Sequence, residues 1–415
     1  MKYVLIGAGS RGTIYGSWAH QHNIEIAAIA EIRPDRLEFA AKEWNVPSER
    51  CFTDPDDLFA LGKIADAAII ATMDQDHFGH VMKALDCGYD ILLEKPISPN
   101  PKECIAIEKK ANALGKKITV CHVLRYTNFF SKLREILRSG ELGKIVAIKH
   151  AENIGNFHMA HSFVRGNWRN DQLSSPIIMQ KSCHDLDILL WLTDSHCTRV
   201  AAFGSLSYFK EENAPAGSSD RCCNCAAADS CRFNAYSAYG PILGQWPADV
   251  VCLEQTPEAL DRALKTGPYG RCVYRCDNNV CDHMSMILEF ENGITATFSL
   301  HAQSTNIHRD IHIMCEDGEI WADDAKREII ISRFIGSEAE DVVTRTIKVQ
   351  TNDSGHGGGD SGIMEDFTAS LTSNCAESRS SISRSVESHL MACAIEKARL
   401  TGKVIELNAF RKSLT

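Results

Sequence analysis

The chain has 415 residues, of which 44% are hydrophobic and 24% charged, a composition typical of a globular protein with about two or three domains. Its net charge of −10 argues against binding to nucleic acid or an anionic membrane, and no apolar run approaches the roughly 20 residues of a membrane span. A strand begins at the first residues, which leaves no room for a signal peptide, and 17 cysteines fit a reducing compartment. We therefore expect a cytoplasmic homo-oligomer with no nucleic-acid or membrane partner.

Residues 1–122 alternate short apolar runs with amphipathic stretches of helical length, among them 76–88 and 99–115. Such alternation predicts a parallel sheet with right-handed crossovers. Sheets of this kind bind ligands beyond the carboxyl ends of their strands. The apolar runs read KYVLI, IEIAAIA, DAAIIAT, YDILLE and KITVCH.

The sequence GAGSRG at residues 7–12 follows the first strand and opens a predicted helix. In a G-x-G-x-x-G turn, Gly7 permits the tight turn, Gly9 lets the backbone approach a pyrophosphate, and Gly12 allows close packing of helix and strand. The pattern alone is weak, because glycine-rich turns are common. Its place between a strand and a helix predicts a dinucleotide site, in which we include Ser10 and Arg11.

A carboxylate at the end of the second strand predicts which dinucleotide is bound. Glu31 stands 19 residues after Gly12, where it can accept both hydroxyls of the adenosine ribose and repel a 2′-phosphate. This arrangement favours NAD over NADP. Arg33 and Arg36 follow closely and can soften the preference, and Arg36 belongs to the predicted cofactor site.

Glu94-Lys95-Pro96 follows a later strand, and CHVLRY follows the next one. Together with GAGSRG, these residues resemble the Gfo/Idh/MocA group of sugar and cyclitol oxidoreductases. The stretch ATMDQDHFGHVMKALDCGYDILLEKP is similar to the nicotinamide-binding part of that family, with Thr72 and His77 at the expected places. The resemblance implies that Glu94 lies at the cofactor and that Lys95 points into the cleft, before a Lys–Pro bond that is often cis. Taken alone, Glu-Lys-Pro also fits a surface turn.

The resemblance covers nearly the whole chain, since ESHLMACAIEKARLTGKVIEL is similar to the closing helix and strand of the family. It implies an α/β protein: a Rossmann NAD-binding domain at 1–122 and a substrate-binding α+β domain at 123–415. The second domain is expected to have a large open sheet that covers the nicotinamide, with helices at its C-terminal end.

The sequence predicts this second sheet independently. Asn292-Gly293 and Asp317-Gly318 each divide an alternating segment, as the two-residue turn of a hairpin does. The sheet should therefore be mostly antiparallel. A helix at 182–192 is expected to cross one face, and a cysteine-rich insertion is expected at about 211–281.

The segment IIMQKSCHDLDILLWL at 177–192 places polar residues where an apolar helix begins. The resemblance implies that His184 is the base or proton relay for a substrate hydroxyl, and that Lys95 hydrogen-bonds the same oxygen. Histidine suits this role because its ordinary pKa lies near neutral pH. The family commonly has Asp four residues before this histidine, whereas this chain has Gln180, followed by Lys181.

Lys181 is the third predicted catalytic residue. A nearby ammonium would keep His184 a neutral base, and two lysines can stabilise a developing alkoxide or enolate. In the alternative interpretation, Lys181 and Asp185 form a solvated ion pair and His184 caps the helix. Asp187 is expected to orient a partner or to satisfy backbone groups rather than to react.

Polar and aromatic residues in HVLRY and HMAHSFVRGNWRN are candidates for substrate binding, because Arg and His donate to hydroxyls and Trp stacks on sugar rings. Each of these side chains alone fits a solvated loop equally well. The segment SGHGGGDSG at 354–362 can close over the cleft. Besides Lys181 and His184, the predicted substrate residues are Arg125, Tyr126, His158, His161 and Arg165, and Trp168 with Arg169 is predicted to reach the cofactor.

Eight of the 17 cysteines fall between residues 222 and 281. Their spacing is typical of a four-thiolate zinc site, which would pin an insertion poor in large apolar residues. Cys223 can replace Cys222, Cys281 can replace a downstream ligand, and an iron–sulfur cluster or a set of unliganded small side chains are alternatives. The predicted ligands are Cys222, Cys225, Cys231, Cys272 and Cys276.

Three functions compete on this sequence. The first is an NAD-dependent dehydrogenase that oxidises a sugar carbinol and releases a ketosugar and NADH. The second is a glycosidase that oxidises a glycoside transiently to a 3-keto sugar, eliminates the aglycone, adds water and re-reduces with the same NAD, a route that needs no pair of carboxylates. The third is a non-catalytic NAD-binding regulator, which the presence of Lys95 and His184 disfavours.

Overall fold

A computed structural model of the chain describes residues 1–338, 341–350, 355–372 and 377–414. Its first sheet contains the strands β1 (Lys2–Ile6), β2 (Glu25–Ala30), β3 (Cys51–Phe52), β4 (Ala67–Ile70), β5 (Asp90–Leu93) and β6 (Ile118–Val120). They pair in parallel in the order β3-β2-β1-β4-β5-β6, as the alternating pattern predicts. The strand order reverses beside β1, and a ligand crevice forms at such a point beyond the carboxyl ends of the strands.

Helices pack on both faces of this sheet. Alternate residues of β1 face opposite sides, so that Val4 and Ile6 lie in one apolar core and Tyr3 and Leu5 in another. The connecting helices are α1 (Ser10–Gln21), α2 (Pro34–Glu43), α3 (Pro55–Phe59), α4 (His77–Asp86) and α5 (Pro101–Leu114). The two predicted amphipathic stretches correspond to α4 and α5.

The second domain is built on a large mixed sheet. Its strands are β7 (Ile145–Asn153), β8 (Cys197–Ser205), β9 (His283–Phe290), β10 (Thr295–His301), β11 (His308–Cys315), β12 (Gly318–Asp323), β13 (Glu328–Phe334), β14 (Val342–Lys348) and β15 (Ile405–Glu406). They follow the order β14-β13-β12-β11-β7-β10-β9-β8-β15, in which β7 and β10 are parallel and the other neighbours antiparallel. Asn292-Gly293 joins β9 to β10, as predicted.

One face of the second sheet is buried under helices and the other is open. The helices of this domain before β8 are α6 (Asn128–Ser139), α7 (Asn156–His158), α8 (Ile177–Gln180) and α9 (Cys183–Thr193), and a π-helical turn covers Met159–Arg165. The helix predicted at 182–192 is α9, which lies one residue later. Its apolar side chains join the core beneath the sheet, while Phe203, Ile287 and Trp321 stand exposed on the other face.

The predicted insertion lies between β8 and β9. It contains α10 (Ala235–Tyr239), α11 (Ala248–Val251) and α12 (Pro257–Thr266), which share a small apolar core of their own. An antiparallel bridge between Arg221 and Arg271 ties its two ends together. Among the described residues, no helix has the length and apolar character needed to cross a membrane.

The C-terminal helices connect the two domains. They are α13 (Gly359–Thr372), α14 (Ile382–Thr401) and α15 (Leu407–Lys412). Apolar residues of α13 and the first turns of α14 complete the two cores of the first domain, and later residues of α14 lie in the core of the second. The proposed boundary after residue 122 therefore separates the strands, whereas α13 and α14 contact both parts.

Candidate active site

The glycine-rich loop has the shape that a pyrophosphate requires. Gly7 has a φ of +91°, and a Cβ on this residue would lie 2.6 Å from the carbonyl oxygen of Ala71, so glycine is needed there. Helix α1 begins at Ser10, and no side chain caps its first N–H groups, which lack intrahelical partners. A Cβ on Gly9 would meet nothing within 4 Å, so a ligand has room to approach. The loop fits a dinucleotide.

Glu31 lies at the carboxyl end of β2, beside this loop. Its buried carboxylate accepts the backbone N–H groups of Ala8 at 2.6 Å and Arg33 at 2.9 Å. These bonds hold the carboxylate where the adenosine ribose of a dinucleotide lies in this fold. The position supports the predicted role of Glu31, and it leaves the choice between NAD and NADP to a binding measurement.

Arg11 faces protein groups rather than open space. Its Nε donates to Glu94 at 2.6 Å, and its terminal nitrogens donate to Asp360 at 2.7 and 3.2 Å and to the Tyr15 hydroxyl. Burial alone would lower the pKa of Arg11, but Tyr15, Glu94 and Asp360 raise it well above its usual value. Arg11 thus fastens the glycine-rich loop to the end of β5 and to α13, and its contact with NAD stays a prediction.

His77 is a buried connector between two strand ends. Its Nδ1 lies 2.7 Å from the carbonyl oxygen of Pro96, and its Nε2 lies 3.2 Å from that of Thr72. The Lys95–Pro96 peptide bond is cis, in agreement with the family pattern. His77 therefore holds Thr72 and the Lys95-Pro96 turn together beyond the carboxyl ends of β4 and β5. Thr72 Oγ1 in turn bonds to His80 at 3.1 Å.

Lys95 reaches from the first sheet to the second domain. Its Nζ donates to the carbonyl oxygen of Gln180 at 2.7 Å, and its backbone N–H donates to Glu94 at 2.9 Å. Gln180 ends α8, four residues before His184. The structure thus brings Lys95 to the end of α8, directly before the helix α9 that carries His184. The sequence predicts that these two residues act on one oxygen.

His184 is buried inside α9 and does not cap it, because the N-cap residue is Ser182. Burial lowers the pKa of His184 well below its usual value, and Lys95 lowers it further. A lowered pKa favours the neutral form of His184, and its role as a base stays a prediction. The prediction attributed the lowered pKa to Lys181, whereas burial is its largest cause in the structure and Lys95 the largest charged contribution.

Lys181 belongs to a buried network of charges, not to a solvated pair with Asp185. Its Nζ lies 3.2 Å from Glu152, which also pairs with Arg309. Arg309 donates to Asp185 at 2.7 Å, and His150 lies 2.9 Å from the same oxygen. Burial lowers the pKa of Lys181, Glu152 raises it and Arg309 lowers it again. The charge of Lys181 is thus already compensated by protein.

His158 and His161 contact the indole of Trp246, which the insertion contributes. The ring centroids lie 5.1 Å and 6.0 Å from that of Trp246, whose side chain is nearly half exposed. Burial lowers the pKa of His158 well below its usual value, and Lys181 adds to the effect. Nδ1 of His161 bonds to the Tyr239 hydroxyl at 3.0 Å. His158, rather than His184, is therefore the histidine beside Lys181.

Arg125 and Tyr126 have their polar groups engaged within the protein. Arg125 donates to both oxygens of Asp187 at 2.6 Å and to the carbonyl of Arg379 at 2.8 Å. The Tyr126 hydroxyl donates to Asp366 at 2.8 Å. Both side chains are buried, so this geometry favours structural roles and their contact with substrate stays a prediction. Asp187 orients a partner, as expected.

Arg165 anchors the insertion. Its guanidinium is fully buried and donates to the carbonyl oxygens of Arg271 and Phe233, each at 2.7 Å. It also donates to Cys222 Sγ at 3.5 Å. Because Nε and one terminal nitrogen make these bonds, Arg165 is placed to support the fold of the insertion, and its contact with substrate stays a prediction.

Trp168 and Arg169 lie on the loop that follows. Arg169 forms a two-point ion pair with Asp277 at 2.7 and 3.0 Å, and Trp168 packs beside Phe163. Burial raises the pKa of Tyr269, a residue of the insertion, to about 12. The positive charges of Arg36, Arg169 and Arg33 act in the opposite direction, so Tyr269 lies near these three arginines. The loop thus faces the cofactor domain, and its contact with NAD stays a prediction.

The cysteines of the insertion lie close together without forming a metal site. Four of the five predicted ligands, Cys222, Cys225, Cys231 and Cys272, line one small cavity. Cys276 is not among them and donates to the carbonyl of Cys272 at 3.2 Å. In the described parts of the chain, no three His, Cys, Asp or Glu side chains are arranged to hold a metal ion.

The structure has a glycine-rich loop where the strand order of a parallel sheet reverses, with a lysine and a buried histidine at the same site. Together these features define a two-domain nucleotide-dependent oxidoreductase. The chain belongs to the Gfo/Idh/MocA oxidoreductase family. The family's NAD-binding Rossmann domain matches residues 1–122, and its C-terminal α/β domain matches residues 134–407. The predicted family and fold class are confirmed.

Relatives with recorded names agree with this assignment. A putative oxidoreductase, YteT, of Bacillus subtilis is 24% identical over 83% of this chain and 82% of its own length. An inositol 2-dehydrogenase of Corynebacterium glutamicum is 27% identical over 48% of this chain and 56% of its own length. The solved scyllo-inositol dehydrogenase of Lactobacillus casei, which contains NAD(H) and scyllo-inositol, has a TM-score of 0.68 at 16% identity, covering 98% of this chain and 99% of that one.

The sequence interpretation did not identify several residues at this site. Glu152 and His150 follow Ile148 at alternate positions of β7, and all three are buried. A period-two pattern with polar residues on the apolar face was therefore the available signal. Arg309 and Trp246 gave no comparable signal in the sequence.

Proposed function

We propose that the protein is an NAD-dependent dehydrogenase that oxidises a secondary hydroxyl of a sugar or cyclitol. The observation that carries this proposal is the hydrogen bond from Lys95, beyond the carboxyl end of β5, to Gln180, which lies four residues before His184. The names of the relatives support the substrate class, since several act on inositols. The exposed indole of Trp246 offers an apolar face of the kind on which sugar rings stack.

Lys95 and His184 have distinct roles in this reaction. His184 is neutral and takes the hydroxyl proton, while the Lys95 ammonium hydrogen-bonds the same oxygen and stabilises its developing negative charge. When bound, NAD accepts the hydride from the carbinol carbon. Glu31, the loop at Gly9 and the first turn of α1 would hold the cofactor.

The test is oxidation of a panel of cyclitols and sugars, followed as NADH absorbance. Lys95→Ala and His184→Ala should each lower kcat by about a hundredfold or more while leaving NAD binding intact. The matched controls are Lys63→Ala and His20→Ala, which remove an exposed lysine and an exposed histidine of the first domain. The proposal would be contradicted if protein that binds NAD formed no NADH with any polyol of the panel.

Cofactor preference forms a second test. Because Glu31 would repel a 2′-phosphate, NAD should bind more tightly than NADP, and Glu31→Ala should narrow the gap. Calorimetry of both cofactors with both proteins measures this. Equal affinities in the wild-type protein would remove Glu31 from cofactor selection.

Cleavage of a glycoside by transient oxidation is the second candidate. The observation that favours it is a second neutral histidine, His158, beside Lys181, because elimination from a 3-keto sugar needs a base for the C2 proton. The pairing of Lys181 with Glu152 weakens its use for an enolate. This route is supported if the protein cleaves an aryl glycoside with only catalytic amounts of NAD and if a deuterium at C2 of the sugar exchanges with solvent. Formation of one NADH per sugar oxidised, with the glycosidic bond intact, would exclude it.

Location and assembly are further proposals. The described cysteines form no disulfide, which agrees with a reducing cytoplasm. Phe203 and Ile287, on the neighbouring strands β8 and β9, stand exposed together on the open face of the second sheet, and Trp321 stands exposed on the same face at β12, which supports self-association. Ile287→Glu should lower the mass measured by light scattering, whereas Ile32→Glu, at an exposed site of the first domain, should not. A monomeric wild-type protein would contradict the proposal.

Structural zinc in the insertion also remains a proposal. The cavity shared by Cys222, Cys225, Cys231 and Cys272 supports it, and the present arrangement of the side chains does not. Elemental analysis of the purified protein should find about one zinc per chain. Cys225→Ser should lose the metal, Cys252→Ser should keep it, and a metal-free wild-type protein would leave only unliganded thiols.

A further inference from the structure

A row of histidine rings passes through His184 toward the surface. The ring of His122 lies 5.8 Å from that of His184 on the inner side, and the ring of His356 lies 6.5 Å from it on the other. His122 is completely buried, whereas the side chain of His356 is 46% exposed. His356 therefore lies between the predicted base and solvent.

The position of His356 is fixed by a buried carboxylate. Its Nδ1 lies 3.0 and 3.2 Å from the oxygens of Asp360, one turn further along the chain. Asp360 is held in turn by Arg11, and burial, which would raise its pKa, is outweighed by His356 and Arg11. Since Asp360 takes Nδ1, Nε2 of His356 is the nitrogen left to exchange a proton, and it has no hydrogen-bond partner within the described residues.

His356 and Asp360 supply a candidate path for a proton beside His184, which the helix α9 itself does not offer. The family commonly has an acidic residue at the position of Gln180, and Nδ1 of His184 is buried without a partner in the part of the chain that the structure describes. Asp185 and Asp187, the carboxylates nearest in sequence, are bound by Arg309 and Arg125. Both carboxylates on α9 are therefore held by arginines, with Oδ2 of Asp185 left without a hydrogen-bond partner among the described residues.

We propose that His356, oriented by Asp360, relays the substrate proton between His184 and solvent. This inference rests on the proposed dehydrogenase. The substrate carbinol loses a hydride to NAD and a proton to His184, and the proton then passes through His356 to water, which yields a ketone, NADH and one released proton. A centroid separation of 6.5 Å leaves room for about one water molecule or hydroxyl between the rings.

The relay is fixed to the same support as the cofactor loop and the catalytic lysine. Arg11, from the glycine-rich loop, bonds both Asp360 and Glu94, and Glu94 accepts the backbone N–H of Lys95. The charged groups that act on His184 come from several elements: Lys95, Arg309, His122 and His356. One buried network thus positions the proton relay, the lysine and the start of α1.

Turnover and chemical rescue test the relay. His356→Ala should lower kcat by about ten- to a hundredfold with KM and NADH affinity nearly unchanged, and added imidazole should restore part of the lost rate. His356→Gln should show the same loss with less rescue, since glutamine fills the space without carrying a proton. His20→Ala, at an exposed histidine, is the control. A His356→Ala rate within about twofold of wild type, or a loss that imidazole does not relieve, would overturn the proposal.

A second measurement needs no substrate and separates this proposal from the proposed function. His356 lowers the pKa of His184, so His356→Ala should raise that pKa in an NMR titration of labelled histidine. An unchanged titration of His184 would show that the rings do not face each other and would overturn the relay. Absence of polyol oxidation by the wild-type protein would instead refute the dehydrogenase.

Discussion

Lys95 and Lys181 lie at two ends of one site, and both act on His158, yet their surroundings differ. Lys95 is partly exposed and donates to a neutral carbonyl oxygen, that of Gln180. Lys181, whose side chain is 14% exposed, pairs instead with the carboxylate of Glu152. The charge of Lys95 is therefore left for a substrate oxygen, whereas that of Lys181 is largely cancelled. Residue type alone does not separate a reacting lysine from a supporting one; the partner does.

The largest expected effect is on turnover. Lys95→Met should lower kcat by about a hundredfold to ten-thousandfold, because the uncompensated ammonium near the reacting oxygen is lost. Lys181→Met should cost about tenfold or less, provided that the variant folds. Steady-state kinetics on the same polyol compares them. Equal losses would mean that both lysines take part in the reaction and would break the comparison.

The next effect is on the free energy of unfolding, where the surroundings of Lys181 should matter more than Lys95. Glu152→Gln leaves Lys181 and Arg309 with less compensation in a buried site, which should cost about 3–5 kcal/mol of unfolding free energy. Lys95→Met should cost about 1 kcal/mol, because it removes one hydrogen bond to a carbonyl. Denaturant unfolding of both variants measures this. A Glu152→Gln protein as stable as wild type would show that the network does not hold Lys181 in place.

The smallest effect is a change in two histidine titrations. Lys95 lowers the pKa of His184, so Lys95→Met should raise it; the largest contributions to this pKa come from burial, Lys95, His122 and Arg309 rather than from Lys181. Lys181 and Lys95 both lower the pKa of His158, so either variant should raise that one. NMR titration with assigned ring signals reads both. A rise for His184 in Lys181→Met would restore the interpretation made from sequence.

The first domain could be predicted closely because its signals are local. GAGSRG, Glu31 and Lys95 each occupy a fixed offset from a strand, and the strand order places them at one edge. The second domain shows the limit of this approach. Arg125 and Arg165 looked like substrate ligands, yet Asp187 and the backbone of the insertion bind them. Such pairings join distant parts of the chain, and spacing in the sequence does not reveal them.

The histidines show the same limit within one site. The family resemblance identified His184, but the lysine with the larger effect on its pKa is Lys95, 89 residues away in sequence, rather than Lys181, three residues away. His356 lies in the glycine-rich segment 354–362, which suggested only a closing loop and whose residue 354 lies outside the described part. Only the fold brings His356 to His184.

The most direct test of the central claim is transfer of label. A polyol substrate deuterated at its reacting carbon should pass deuterium to the nicotinamide ring, so that mass spectrometry finds deuterium in the released NADH. Lys95→Met and His184→Ala should each slow this transfer by about a hundredfold or more. The account predicts about one deuterium in each NADH formed. NADH without deuterium, or labelled NADH at wild-type rate from either variant, would contradict the claim that these two residues act on one carbinol.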